Sequence, residues 1–365
     1  MSSSDDRLDQ LQRALAAFVA WREDPDACPA EPFLAAHADL RELLEPMVFA
    51  PPDEADEAPT VDVGMRLGDY ELVRLLGRGG MGTVFEARQV SLQRRVTVKV
   101  LHDELARTPA AVERFRTEAT AAARLRHPGI VPVFEVGEHA GVHYFAMEYI
   151  DGVALDRLLR GERPDDAGRA GPGLGAVGTA ARQQRAATIV AELAEALHYA
   201  HRAGIVHHDV KPHNVLVTAD GSVRLLDFGL ARDLGWGDRE GRRAGIVGTP
   251  QYMSPEQAGG AAVGPASDVF SCGIVLHELL TGERLFDGDS TSEVLREIAD
   301  GPLRLPSMAR FRVAADVEAI RDRCLRRDPA TRYADAQALA ADLRAWLRHE
   351  PVAARRPGAL RRAGK

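Results

Sequence analysis

The chain has 365 residues, 45% of them hydrophobic and 27% charged, with a formal net charge of -8. That length supports an ample core in one two-lobed domain or two ordinary ones, and the acidic balance argues against a general nucleic-acid binder. No apolar run approaches the length that spans a bilayer, and three widely spaced cysteines (Cys28, Cys272, Cys324) suggest neither a disulfide framework nor a zinc site, so a soluble cytoplasmic protein is expected.

Residues 1–60 carry fourteen acidic and four basic side chains, and the last stretch is basic, with Arg355, Arg356, Arg361, Arg362 and Lys365. The segment 1–50 predicts two helices. Leu8, Leu11, Leu15, Phe18 and Val19 share one helical spacing, and Phe33, His37, Leu40, Leu44 and Met47 share another, with Pro32 in the first turn. Each stripe is too small to stand alone, so the two should pack together or on a larger body, as a regulatory element or a docking point for a regulatory partner. The Pro- and acid-rich stretch from residue 51 reads as a linker that runs to about 66.

From residue 70 the pattern turns strand-like, with short β-branched or apolar runs at 70–76, 82–88 and 95–101. A helix is expected over 110–125, then strands near 131–136 and 143–147, and mainly helix after Gly152. The Gly-, Ala- and Arg-rich stretch 161–181 reads as a flexible insertion with little to bury.

Three motifs carry chemistry. Gly77-Arg78-Gly79-Gly80-Met81-Gly82-Thr83-Val84 is a glycine-rich turn between two strands, where backbone N–H groups can approach phosphate oxygens. A dinucleotide fold would need a helix next, whereas the sequence continues as a strand. Lys99 lies seventeen residues after Gly82 on the third strand. The chain has only three lysines, Lys99, Lys211 and Lys365, so the first two mark places where a compact ammonium is required instead of a planar guanidinium. An inward-facing ammonium needs a counter-charge, and Glu118 on the next helix is the better candidate than Glu113. The third motif is His207-His208-Asp209-Val210-Lys211-Pro212-His213-Asn214 followed by Leu226-Asp227-Phe228-Gly229. Asp209 can accept a hydroxyl proton and Lys211 can neutralise a moving phosphoryl group. Asn214 and Asp227 offer hard oxygen ligands for magnesium.

On these motifs the chain resembles the eukaryotic-like Ser/Thr protein kinases of bacteria, over about 67–347. The resemblance implies an α+β, two-lobed fold, with a small antiparallel sheet and one helix in the first lobe and a mainly helical second lobe. It implies ATP and Mg2+ as cofactors and protein hydroxyls as substrates, with no nucleic acid and no membrane span. Gly248-Thr249-Pro250-Gln251-Tyr252-Met253-Ser254-Pro255-Glu256 resembles the end of the activation segment, Asp268 the buried helix anchor, and Arg332 the partner of Glu256. Small-molecule kinases typically lack these marks, and Lys211 with Thr249 resembles the Ser/Thr subgroup. By the same resemblance Met147 is the gatekeeper, Glu148 and Ile150 are the hinge contacts to adenine, and Val84 and Leu216 cover its two faces. The alternative is a pseudokinase acting as an interaction module, but such proteins usually lack one of Lys99, Asp209 or Asp227, and all three residues are present.

Three departures from the family stand out. His208 replaces the arginine that reads a phosphate on the activation loop, and residues 230–248 contain no Ser, Thr or Tyr. Acceptor and reader are missing together, which implies activity without loop phosphorylation. Thr97 replaces a small alanine over adenine. His213 and Ala154 stand where some members carry acidic residues that read basic substrates.

Overall fold

The computed structural model describes residues 29–48, 61–162, 173–228, 250–288, 290–301 and 305–355, together with Gln10, Arg13, Ala14, Ala17, Phe18 and Trp21. The chain divides into two compact units, Met1–Thr60 and Val61–Lys365.

In the first unit the second predicted helix is two helices, α1 (Ala30–Ala36) and α2 (Arg41–Val48), joined by a 3-10 turn at Ala38–Leu40. His37 leaves helical geometry at φ -121 and ψ 47, which breaks the run between the stripe's first and later members. Phe33, Leu40 and Leu44 are nevertheless buried, with Leu34 and Ala14, and Trp21 stacks on Phe33 at 4.9 Å. Phe18 of the first stripe, with Trp21, packs on the second, where burial of apolar area offsets the ordering cost of short helices. Leu8, Leu11, Leu15 and Val19 lie outside the described residues.

The second unit opens with a six-stranded antiparallel sheet: β1 (Arg66–Leu67), β2 (Tyr70–Arg78), β3 (Gly82–Gln89), β4 (Arg94–Leu101), β5 (Val133–His139) and β6 (Val142–Glu148). Their order across the sheet is β1-β2-β3-β4-β6-β5. The alternation of β4 explains how one strand serves two purposes. Val96, Val98 and Val100 bury against Leu72, Phe85, Ala87, Tyr144 and Ala146 on one face. Thr97, Lys99 and Leu101 point the other way, and Leu101 packs with Phe115 and Ala119 of a helix and with Phe145 and Met147 of β6. The short helix α3 (Asp103–Ala106) leads into that longer one, α4 (Pro109–Ala123).

After the hinge, β7 (Gly152–Ala154) pairs with β8 (Val215–Thr218), which pairs with β9 (Val223–Leu225). This small sheet adds three short strands to a second half that is otherwise helical, as expected. Its strands are three or four residues long, too short to show a two-residue period in the sequence. Around it stand α5 (Leu155–Leu159), α6 (Ala180–Arg202), α7 (Pro255–Ala258), α8 (Pro265–Thr281), α9 (Thr291–Asp300), α10 (Ala315–Cys324) and α11 (Ala336–Leu347). Helix α8 is the core of this lobe: fourteen of its seventeen residues are buried, as expected of a helix apolar on all sides. Gly273 lets it approach α10, since a Cβ there would lie 2.6 Å from Cys324 Cβ. Cys272 and Cys324 are buried and free, and burial pushes both thiols up in pKa.

Two boundaries differ from expectation. The end of the stretch 161–181 is not loose: Leu174 is buried in the lobe core, and Arg182 donates to Gly175 O and Leu279 O. The lobe also continues past α11. Asp342 accepts from Ala353 N and Ala354 N at 2.7 and 2.9 Å, and Val352 is buried.

Candidate active site

The glycine turn links β2 to β3, with Gly77 opposite Val84 and Arg78 opposite Thr83. Gly77 and Gly79 play one part in it and Gly82 another. A Cβ at Gly77 meets nothing within 4 Å, and one at Gly79 meets only Gly82 O at 3.8 Å, so both border open space over the cleft. A Cβ at Gly82 would sit 2.2 Å from Val100 O. Gly82 is therefore required by the contact with β4 and not by phosphate. Gly82→Ala is expected to destabilise the small lobe by roughly 1–3 kcal/mol, since the strand must shift to relieve the overlap. A thermal unfolding midpoint equal to that of the wild type would refute this reading.

Behind the turn, Lys99 is opposite Val84 on one side and Phe145 on the other. Its Nζ lies 2.9 Å from Asp227 Oδ2 and 3.5 Å from Glu118 Oε1. Glu118 is buried and Glu113 is exposed, as their spacing on α4 demands. Burial opposes the charge on Lys99, but Asp227 and Glu118 outweigh it and hold the ammonium above its ordinary range. Burial raises the Glu118 carboxyl against the pull of Lys99. The Asp227 carboxyl is also opposed by burial, but Lys99 brings it below its ordinary range. Helix α4 is fastened beside this pair by Phe115 against Phe145, 5.1 Å between ring centres, and by Arg116 on Glu138 at 2.8 Å.

Thr97 and Met147 are register partners at the base of the cleft, and both are buried. Val84 and Ile150 are half-buried against the same apolar cluster. Glu148 donates its N–H to Pro132 O, and Leu216, opposite Ala154, lies on β8. Val84, Met147 and Ile150 thus meet in one apolar cluster.

The catalytic-loop residues meet below it. Lys211 Nζ is 2.7 Å from Asp209 Oδ2. Asn214 donates from Nδ2 to Asp209 O at 2.9 Å and to Asp209 Oδ2 at 3.2 Å, which leaves its amide oxygen as an acceptor. His207 joins this loop to the segment holding Asp227. Its Nε2–H donates to Leu226 O at 2.8 Å, so its Nδ1 accepts from Asp209 N at 3.2 Å. Burial lowers the pKa of His207, which keeps the imidazole neutral as this pairing requires. The ring also packs on Phe228.

Two non-glycine residues here take left-handed backbone, His208 at φ 64 and Asp227 at φ 41. Such geometry persists only where surrounding contacts over-determine it. His208 is pinned on both sides, donating its N–H to Asp268 Oδ1 and accepting Gln257 Nε2 on its carbonyl. Asp268, on α8, also accepts His207 N at 2.8 Å and His201 Nε2 at 2.7 Å. Burial pushes its carboxyl up, but these donors hold it below the ordinary range. Arg332 grips Glu256 at 2.7 and 2.8 Å, and Ser267 donates to the same carboxylate.

Sequence reading missed His201 and Gln257, because a histidine on a helix and a glutamine near a turn carry no local signal of partners 67 and 49 residues away. Thr249, Gly229 and Trp236 lie outside the described residues, as does 230–248.

Among the described residues no group of three or more His, Cys, Asp or Glu is arranged to hold a metal ion. Asn214 and Asp227 nevertheless fit magnesium, which binds through one or two protein oxygens and takes the rest from phosphate and water. The open space at Gly77 and Gly79 fits a phosphate chain in the same way.

The sequence profile described as "Protein kinase domain" matches residues 70–343. The chain is 41% identical over 280 residues to the serine/threonine-protein kinase PknB of Mycobacterium tuberculosis, covering 75% of this chain and 42% of that protein. It is 39% identical over 292 residues to a probable serine/threonine-protein kinase of Streptomyces coelicolor, covering 79% and 41%. Against PrkC of Bacillus subtilis the identity is 33% over 285 residues, covering 77% and 41%. The chain thus spans about two fifths of the length of the curated relatives it matches. The crystal structure of the Mycobacterium tuberculosis PknI kinase domain superposes with a TM-score of 0.61 at 27% identity, covering 79% of this chain and 99% of that one. With its two lobes, its glycine turn and its paired Lys99 and Glu118, the chain belongs to the protein kinase family, among the eukaryotic-like Ser/Thr kinases of bacteria.

Proposed function

We propose that this chain is an active kinase that transfers the γ-phosphoryl group of ATP to Ser or Thr hydroxyls of proteins. The observation that carries this reading is the convergence of Asp209, Lys211, Asn214 and Asp227 on one cleft whose opposite wall holds Lys99 paired with Glu118. Bound MgATP supplies the phosphoryl group and the divalent charge. Asp209 orients the incoming hydroxyl and takes its proton as the hydroxyl oxygen bonds to phosphorus. Lys211, 2.7 Å from Asp209, stabilises the charge that builds on the transferring group. Asn214 and Asp227 hold the metal, while Lys99, positioned by Glu118, grips the α- and β-phosphates. The glycine turn covers the phosphates, and Met147, Glu148, Ile150, Val84 and Leu216 enclose the base. Catalysis by this set is positioning and electrostatics in a site that excludes water.

We further propose that the site works without phosphorylation of the activation loop. Residues 230–248 offer no hydroxyl, and His208 is buried where the phosphate-reading arginine would stand. Phe115, Phe145, Arg116 and Glu138 support α4 from the sheet side, so Glu118 does not depend on that loop for its place. Intact-mass spectrometry after incubation with MgATP tests both proposals. Wild-type protein should gain phosphates outside 230–248 and Asp209→Asn should gain none. A wild type that gains none, and leaves a generic protein substrate unmodified, would sink the reading.

Thr97 places a hydroxyl in an otherwise apolar slot, where burial of an unpaired polar group is unfavourable. Thr97→Ala is expected to tighten ATP binding about 2- to 10-fold, as a ~1 kcal/mol desolvation cost is removed. Calorimetric titration with a non-hydrolysable ATP analogue measures it, and weaker binding by the variant would show that the hydroxyl contacts the base.

A further inference from the structure

A cavity of about 240 Å³ opens in the helical lobe, lined by Ala180, Gln183, Gln184, Arg312, Ala314, Trp346, Leu347 and His349. Its walls are the start of α6, the loop 312–314 and the end of α11. None of its residues belongs to the catalytic machinery.

Three features show that the cavity is built. First, buried Gln183 spends its whole amide on one wall, donating Nε2–H to Arg312 O at 3.0 Å and accepting Ala314 N on Oε1 at 2.9 Å. Second, that wall is held in an unfavourable conformation. Of the six non-glycine residues with positive φ among the described residues, two sit at the catalytic centre and two line this cavity: Arg312 at φ 53 and His349 at φ 60. His349 closes α11, with His349 N donating to Trp346 O and Glu350 N to Ala345 O, a turn in which glycine would cost least. A sequence that places arginine and histidine where glycine is easiest gives up stability for those side chains.

Third, the polar groups of the lining are unspent. The side chains of Arg312, His349 and Gln184 are exposed at the cavity mouth and, with that of Trp346, make no hydrogen bond or ion pair to another described residue, so they are open to a ligand. The carboxylates beside them are engaged, Glu350 by Arg348 at 2.8 Å and Asp316 by Arg355 at 2.9 Å. Arg312 therefore offers an accessible guanidinium and His349 an accessible imidazole, placed around a half-buried apolar floor of Trp346, Leu347 and Ala314.

We propose that this cavity docks an acidic peptide segment of a protein partner, which inserts one bulky apolar side chain. The volume admits one large side chain, and the floor matches it. Arg312 and His349 match flanking carboxylates, with Arg312 able to bind one in a bidentate fork. Gln184, exposed at the rim, offers both a donor and an acceptor, which is what a passing peptide group needs. Charge complementarity commits the occupant to an acidic segment, because a basic one would face Arg312 unpaired.

The test uses fluorescence anisotropy of the full chain with a set of labelled peptides. Each carries a central Phe, Leu, Trp or Met between two acidic residues on each side. At least one is expected to bind saturably, and to weaken 10-fold or more when the anchor is replaced by Ala, when Lys replaces the acids, or when NaCl rises from about 50 to 300 mM. The decisive variants are Arg312→Gly and His349→Gly, which keep the left-handed backbone and remove the side chain. They should bind 10-fold more weakly or worse while unfolding at the same or a higher temperature. No saturable binding by any peptide of the set, or equal binding by wild type and both variants, overturns the proposal. Binding is expected to be unchanged in Asp209→Asn, so failure here and failure of the kinase reading are told apart.

Discussion

Asp209→Asn is expected to lower turnover roughly 10²- to 10⁴-fold while nucleotide binding is largely kept. The substitution is nearly isosteric, so Asn214 and Lys211 still find an oxygen to pair with where Asp209 Oδ2 stands, 3.2 and 2.7 Å from their nitrogens. What is lost is the negative charge that accepts the hydroxyl proton and balances Lys211. The residues proposed to enclose the base and grip the phosphates lie on β3, β4, β6, the hinge that follows β6, and β8, and are untouched. Steady-state kinetics with a generic protein substrate and calorimetric titration with nucleotide separate the two quantities. A variant that turns over at the wild-type rate would show that the base is another group. A variant that loses nucleotide binding as well would show that Asp209 organises the cleft and does not act on the hydroxyl.

Asp268→Ala is expected to cost about 3–5 kcal/mol of stability, since each buried donor left unmatched costs about 1–3 kcal/mol. Three donors converge on this carboxylate: His207 N, His208 N and His201 Nε2. All three are buried or nearly so, and water cannot replace the lost acceptor. For a lobe of this size the loss corresponds to a fall of roughly 10 °C in the unfolding midpoint. Activity should fall further than stability does, even at temperatures where the variant is folded. His208 keeps its left-handed backbone because Asp268 and Gln257 hold its peptide group, and Asp209 is the next residue. Circular dichroism and kinetics at a low temperature read the two effects apart. A midpoint within about 2 °C of the wild type would mean that the donors find other partners, which removes the argument that Asp268 anchors the loop.

The elements with the clearest sequence signals were also the ones with the simplest geometry. Strand β4 could be read from its β-branched run, and α4 from its helical period, because each element buries a face defined by its own residues. The three-residue strands β7 and β9 could not, since their pairing is imposed by the hinge and by the residues around Asn214. His37 shows the opposite failure: an apolar period runs through it, but the backbone leaves helix there to let α1 and α2 fold back on one another. Similarly, the Gly- and Arg-rich composition of 161–181 reads as loose chain, whereas Leu174 and Arg182 anchor its end to the core and to α8.

The sequence by itself determined which chemical groups are available and in what order. A glycine turn, two rare lysines, and Asp209, Asn214 and Asp227 at short fixed spacing define phosphoryl transfer, because those residue types have few other reasons to occur together. Only the tertiary structure decided what each group does to its neighbours. Gly82 serves the contact with Val100, and Lys99 is shared between Glu118 and Asp227. His207 is held neutral between Leu226 and Asp209, and Asp268 gathers donors from three positions. These facts depend on approaches between residues far apart in the chain, set by how strands and helices pack. Local sequence specifies periods, caps and turns, but it does not specify the distance between one element and another.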